Sequence, residues 1–299
     1  MAIYWHPYLA QFLRQDYGSL LTIEDEVNLG EMPLRLDLLL IPRYPVVELP
    51  YPFCHLGQRT LASYKGPGDT AGQPSLVQLL TYALLYQQRE GIWKRSDLTL
   101  WLLANEFADD ISLPSGANIA DMQEIGVGMR GGTLDGFPVF LIDLGELPVN
   151  IATLPLVMAA KGANEQALIE FLLDNHEEYA SYIGYLIFLH IDMFMEVLTM
   201  RQMTAEELGL DMESVLSFLR FYDDDKVVES ILRFLRLYDD DKVMESVSKL
   251  YGDEQLLKEL ARKMGEELAV KGLMRTVGKE RLRQIIEQLM TEEPDNNDE

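Results

Sequence analysis

Asp37 stands alone among apolar neighbours in Leu34-Arg35-Leu36-Asp37-Leu38-Leu39-Leu40-Ile41, and Lys65 follows a second apolar segment in Ser63-Tyr64-Lys65-Gly66-Pro67-Gly68-Asp69. Glutamine and tyrosine then occur at helical spacing in Gln78-Leu79-Leu80-Thr81-Tyr82. A carboxylate, an ammonium and two neutral polar groups in this order suit phosphodiester hydrolysis. That reaction needs a nucleophilic water, stabilised charge at phosphorus and help for the leaving oxygen. Magnesium held by carboxylates supplies much of this, because hard oxygen ligands suit it and it keeps water positions open. Asp37 is the candidate ligand, the backbone carbonyl of Tyr64 a further one, and Lys65 the group that steadies developing charge. Each residue also has a plainer use. An aspartate in a strand can bond a neighbouring turn or pair with Arg35 or Lys65, and a lysine before Gly-Pro-Gly can be a solvated strand end.

The elements that must position these groups are legible from periodicity. His6 to Asp16 has Leu9, Phe12 and Leu13 on one side, as in a short amphipathic helix. Leu20 to Leu29 has strand character and ends at the turn signal Gly30-Glu31-Met32-Pro33. Leu34 to Ile41 reads as a strand covered on both faces. Cys54 to Tyr64 is a third strand candidate. Ser75 to Gln88 repeats apolar residues at helical spacing, introduced by Pro74 and stopped before Gly91. Leu98 to Ala104 and Val139 to Leu144 are further strands. The Gly-rich stretch between them, Ser112 to Gly136, reads as loops and hairpins. Its Gly126-Val127-Gly128-Met129-Arg130-Gly131-Gly132 has no helix after it, so it does not match a dinucleotide fingerprint. This order predicts an α/β sandwich around a mixed sheet.

Past Leu147 the pattern turns helical. Ala163 to Leu173, His176 to Met200 and Thr204 to Leu219 are each expected as a helix. The expected organisation is a mixed domain over 1–150, a helical region over 151–290 and a disordered acidic tail over 291–299. The helical region holds a tandem duplication: Met212 to Val227 matches Val228 to Val243 at 12 of 16 positions. Each unit ends in a run of aspartates that suits helix capping. A calcium loop would need alternating oxygen ligands, a glycine and a terminal glutamate. Such repeats can form a self-association surface, so a homo-oligomer is expected.

Composition bounds the remaining classes. With 299 residues and 48% hydrophobic residues, the chain can bury a large core. The one cysteine, Cys54, rules out an intrachain disulfide and any cysteine-based zinc cluster. The amino-terminal residues lack a signal-peptide pattern, and the longest apolar stretch, Tyr182 to Met195, is too short to span a bilayer. A cytoplasmic protein with no membrane partner is expected. A formal net charge of −24 gives the chain no global electrostatic reason to approach DNA.

The Asp37–Tyr82 layout resembles the PD-(D/E)XK nuclease superfamily. More narrowly, it is similar to the bacterial Rpn group of recombination-promoting, transposase-related nucleases. The matching stretches are Glu26 to Leu39, Leu61 to Asp69, Gln78 to Tyr86 and Asp97 to Leu103, within roughly the first half of the chain. The resemblance implies a restriction-endonuclease-like core and DNA cleavage dependent on Mg2+ or Mn2+. It makes Asp37 a metal ligand, Lys65 the catalytic lysine, and Gln78 and Tyr82 the helix residues beside them. Ser63 departs from the pattern, which has a glutamate ligand there. The helix over Ser75 to Gln88 has no acidic residue, so Glu24, Glu26 or Asp69 would have to fill the gap, with Glu26 the candidate further ligand. Two functions are therefore expected as alternatives: a metal-dependent DNA endonuclease, or a catalytically degenerate member working as a helical interaction module.

Overall fold

The computed structural model describes residues 5–29, 35–43, 49–108, 119–203 and 207–208. The turn signal at 30–33, the helix expected from Thr204 to Leu219 apart from residues 207–208, the tandem repeat and the acidic tail lie outside the described residues. The chain divides into two compact units, Met1–Phe171 and Leu172–Glu299.

The first unit is built on one seven-stranded mixed sheet. In chain order its elements are α1 (Trp5–Tyr17), β1 (Leu21–Asn28), β2 (Arg35–Pro42), β3 (Arg59–Tyr64), α2 (Gln73–Glu90) and β4 (Leu98–Ala104). They continue with β5 (Ile119–Gly126), β6 (Met129–Leu134), β7 (Phe137–Asp143) and the short α3 (Leu154–Val157). The strands lie in the order β1-β2-β3-β4-β7-β6-β5. Pairing is antiparallel at β1–β2 and β2–β3, and parallel at β3–β4 and β4–β7. It is antiparallel again through β7, β6 and β5.

Strand alternation explains how both faces are covered. Leu61, Leu100, Leu102 and Leu141 share a core with Leu76, Leu79 and Ala83 of α2. Their neighbours point the other way: Ala62, Trp101 and Phe140 are register partners across β3, β4 and β7. Trp101 packs on Phe53 with centroids 5.9 Å apart, and Phe53 packs on Tyr17 of α1 at 4.2 Å. Every residue of β4 is buried, as expected for a strand with helices over both faces. Pro74 sits in the first turn of α2, and Gly91 ends the helix in the left-handed conformation at φ 66°.

One expected strand differs. The strand expected over Cys54 to Tyr64 is confined to Arg59–Tyr64, and Phe53–His55 forms a single 3-10 turn. Pro50 and Pro52 supply acceptors but no donors, and their carbonyls take the amides of Cys54 and His55, closing a turn in place of a ladder. The Gly-rich stretch contributes β5 and β6 as a meander with β7. Its last hairpin turns on Asp135-Gly136, with φ 49° and 83°, as a tight two-residue turn requires.

After α3, α4 (Ala163–Asp174) begins against the sheet, where Asn164 Nδ2 donates to the carbonyls of Leu144 and Leu147. The division between units falls within α4. In the second unit, the single helix expected from His176 to Met200 is two helices, α5 (Ala180–Leu189) and α6 (Ile191–Arg201), meeting at 114°. His190 makes the break at φ −137°: its amide ends α5 on Leu186, and its carbonyl starts α6 on Phe194. Both segments bury apolar residues, so the apolar pattern runs through the corner without marking it. No single helix among the described residues is long and apolar enough to cross a membrane.

Candidate active site

Strand pairing decides which groups meet. The register Leu40↔Thr60, Leu39↔Leu61, Leu38↔Ala62 runs out at the end of β3, where the next opposed positions are Asp37 and Ser63. Asp37 Oδ2 accepts the Ser63 hydroxyl at 3.0 Å and the Tyr64 amide at 2.8 Å. The following amide, of Lys65, turns the opposite way and donates to Leu103 of β4 at 2.8 Å. Asp37 is half-buried and Ser63 only 2% exposed.

The second cluster uses α2, which returns over the sheet after a short loop. Lys65 Nζ donates to Gln78 Oε1 at 2.9 Å, and Gln78 Nε2 donates to the Tyr82 hydroxyl at 2.6 Å. Gln78 and Tyr82 are one helical turn apart, the spacing that stacks them on one face. Tyr82 is buried, so this chain runs from a half-buried ammonium into the core. Asp37, Ser63, Lys65, Gln78 and Tyr82 thus lie around the end of β3 in two hydrogen-bonded groups. Among the described residues Asp37 forms no ion pair with Lys65, and its Oδ1 accepts no hydrogen bond.

The other expected residues go elsewhere. Arg35, one of the partners considered for Asp37, has Nη1 2.9 Å from Glu26 Oε2. Glu26 interrupts the β1–β2 ladder between Asp25↔Leu38 and Val27↔Leu36, with φ 49°, so it stands across from Asp37 but directs its carboxylate to Arg35. Glu24 is paired with Leu39 and adds to the field that, behind burial, pushes the Tyr86 phenol up. Asp69 is exposed in the β3–α2 loop, where its amide donates to Gly66. Tyr64 meets Asp37 through its N–H.

One carboxylate, Asp37, sits in the cluster, and its Oδ2 is already taken by two protein donors. The position opposite it carries a hydroxyl that donates. Among the described residues no three His, Cys, Asp or Glu side chains converge on a point. Among the described residues the cluster thus offers one carboxylate, with Oδ1 open, where a magnesium site commonly draws on more than one.

Asn105 was not anticipated. At the end of β4 it donates from Nδ2 to Ala159 O at 2.9 Å, and its Oδ1 accepts the Lys161 amide at 2.8 Å. Tyr64, whose phenol is pushed up chiefly by burial, reaches the same Ala159 carbonyl at 3.4 Å. These bonds tie the chain after α3 to the neighbouring ends of β4 and β3. An Asn closing an apolar strand was the available signal, but its partner is more than fifty residues away and needs the fold. Farther along the sheet, a polar cleft of about 420 Å³ is lined by Phe107, Glu124, Arg130, Asp143 and Glu146 among others. Burial raises the Asp143 carboxyl against the opposing hydrogen bond from the Gly145 amide.

No protein-family model, curated protein or solved structure matches the chain.

Proposed function

We propose that the first unit is a PD-(D/E)XK-type core whose metal-ligand pair has become a donor–acceptor pair, and that the chain acts as a non-hydrolytic interaction protein. Self-association through the helical region belongs to the same proposal. One observation carries it: Ser63, where the resemblance implies a glutamate ligand, donates to the remaining carboxylate. A hydroxyl whose hydrogen is committed to Asp37 adds no negative charge for a cation. Lys65 is held by Gln78, and Glu26 is turned to Arg35. The net charge of −24 also disfavours tight binding to DNA without a cation.

A second reading, a Mg2+- or Mn2+-dependent DNA endonuclease, draws on one specific observation. Asp37 Oδ1 accepts no hydrogen bond among the described residues, and Lys65 has no carboxylate partner there. Plasmid nicking separates the two. Under the first reading, purified protein with either metal nicks no faster than Asp37→Ala or Lys65→Ala. Metal-dependent nicking that both substitutions abolish establishes the second.

A further inference from the structure

We infer that Asp37 serves as a hydrogen-bond latch that positions the end of β3, and that Ser63 makes this latch independent of divalent cations. The inference rests on the non-hydrolytic reading and states what the same residues do in place of metal binding. Tyr64 N–H points to β2, since the next amide, of Lys65, bonds β4. The last registered β2–β3 pair is Leu38↔Ala62, so Tyr64 N–H lies beyond the ladder and takes the Asp37 carboxylate as its acceptor. Ser63 is buried, and a buried hydroxyl needs a partner; Asp37 is that partner. One carboxylate oxygen therefore satisfies two donors on consecutive residues of β3, immediately before Lys65.

Two carboxylates at these opposed positions would repel one another until a cation lay between them. Serine removes that repulsion and supplies a hydrogen in its place. Asp37 is accordingly a positioning residue: it acts on Lys65 through the backbone of β3 and needs no ion to do so.

The test is thermal unfolding of the full chain in EDTA, in Mg2+ and in Mn2+, for the unmodified protein, Ser63→Ala and Asp37→Asn. The expected result is the same midpoint in all three media for the unmodified protein. Ser63→Ala is expected to melt about 2–4 °C lower, equally in each medium. A midpoint that rises in Mn2+ for the unmodified protein but not for Asp37→Asn overturns the inference, as does an unchanged midpoint in Ser63→Ala. The two proposals fail separately. Asp37-dependent stabilisation by Mn2+ without plasmid nicking sinks the latch alone, whereas metal-dependent nicking above the Asp37→Ala background, with midpoints equal in all three media, sinks the non-hydrolytic reading alone.

Discussion

Replacing Asp37 with alanine removes the acceptor for Ser63 Oγ at 3.0 Å and Tyr64 N at 2.8 Å in one step. A hydrogen bond to a charged group contributes about 1.5–3 kcal/mol, so the pair sets an upper bound of about 3–6 kcal/mol. Asp37 is only half-buried, and water entering the vacated space would restore part of this. A loss of about 2–3 kcal/mol is expected after that discount. For a unit of this size each kcal/mol moves the midpoint about 2–4 °C, which gives a drop of roughly 4–12 °C. Asp37→Asn keeps an amide oxygen in the same place and loses only charge assistance, so its drop should be about 2–4 °C. Circular dichroism melts of the three proteins in EDTA read both differences. An alanine variant as stable as the parent, or more stable, would refute the latch, because that is the behaviour of a carboxylate kept solely for an absent cation. Equal losses in the alanine and asparagine variants would refute the hydrogen-bond account of the magnitude.

Ser63→Glu sets a second carboxylate against Asp37; it should lower the midpoint in EDTA, with part of the loss recovered in Mn2+ by the same melts. Gln78→Leu cuts the bonds from Lys65 and to Tyr82, and urea titration should show a loss of about 1 kcal/mol, discounted for the exposure of Gln78. Gly128→Ala should cost about 2 kcal/mol or more in the same titration. At that position φ is +70° and an added Cβ would lie 2.7 Å from Leu147 N. The Asp143 carboxyl is raised by burial, so its ionised form opposes folding, and the penalty is felt as pH climbs through its folded value. Asp143→Asn should therefore raise the midpoint at pH 7, with the gain fading as pH falls toward the ordinary carboxyl value of 3.8. Removing Met212 to Val243 should lower the mass measured by light scattering, and an unchanged mass would reject self-association through that segment.

Local pattern was enough for the features that depend on neighbours in sequence. The apolar run Leu98 to Ala104 is β4, buried throughout, and the helix between Pro74 and Gly91 is α2. Gln78 and Tyr82, placed on one face by four-residue spacing, are hydrogen-bonded at 2.6 Å. Distances of one turn or one pleat follow from backbone geometry, so types and spacings carry them. The break at His190 was not legible in the same way, because apolar residues recur on both sides of it. The turn at Phe53–His55 is closed by the nearby carbonyls of Pro50 and Pro52, a local signal that the apolar pattern from Cys54 to Tyr64 masked.

The partner of Asp37 was not legible either. Sequence alone left it open among Arg35, Lys65 and a nearby turn, and marked Ser63 as a missing ligand. The β2–β3 register sets Ser63 and Tyr64 N–H against the carboxylate, the interrupted β1–β2 ladder leaves Glu26 with Arg35, and α2 brings Gln78 to Lys65. Residue types determined that a carboxylate, a hydroxyl and an ammonium would be available. Only strand register and helix placement decided which of them bond, because those pairings span segments whose relative position exists only in the folded chain.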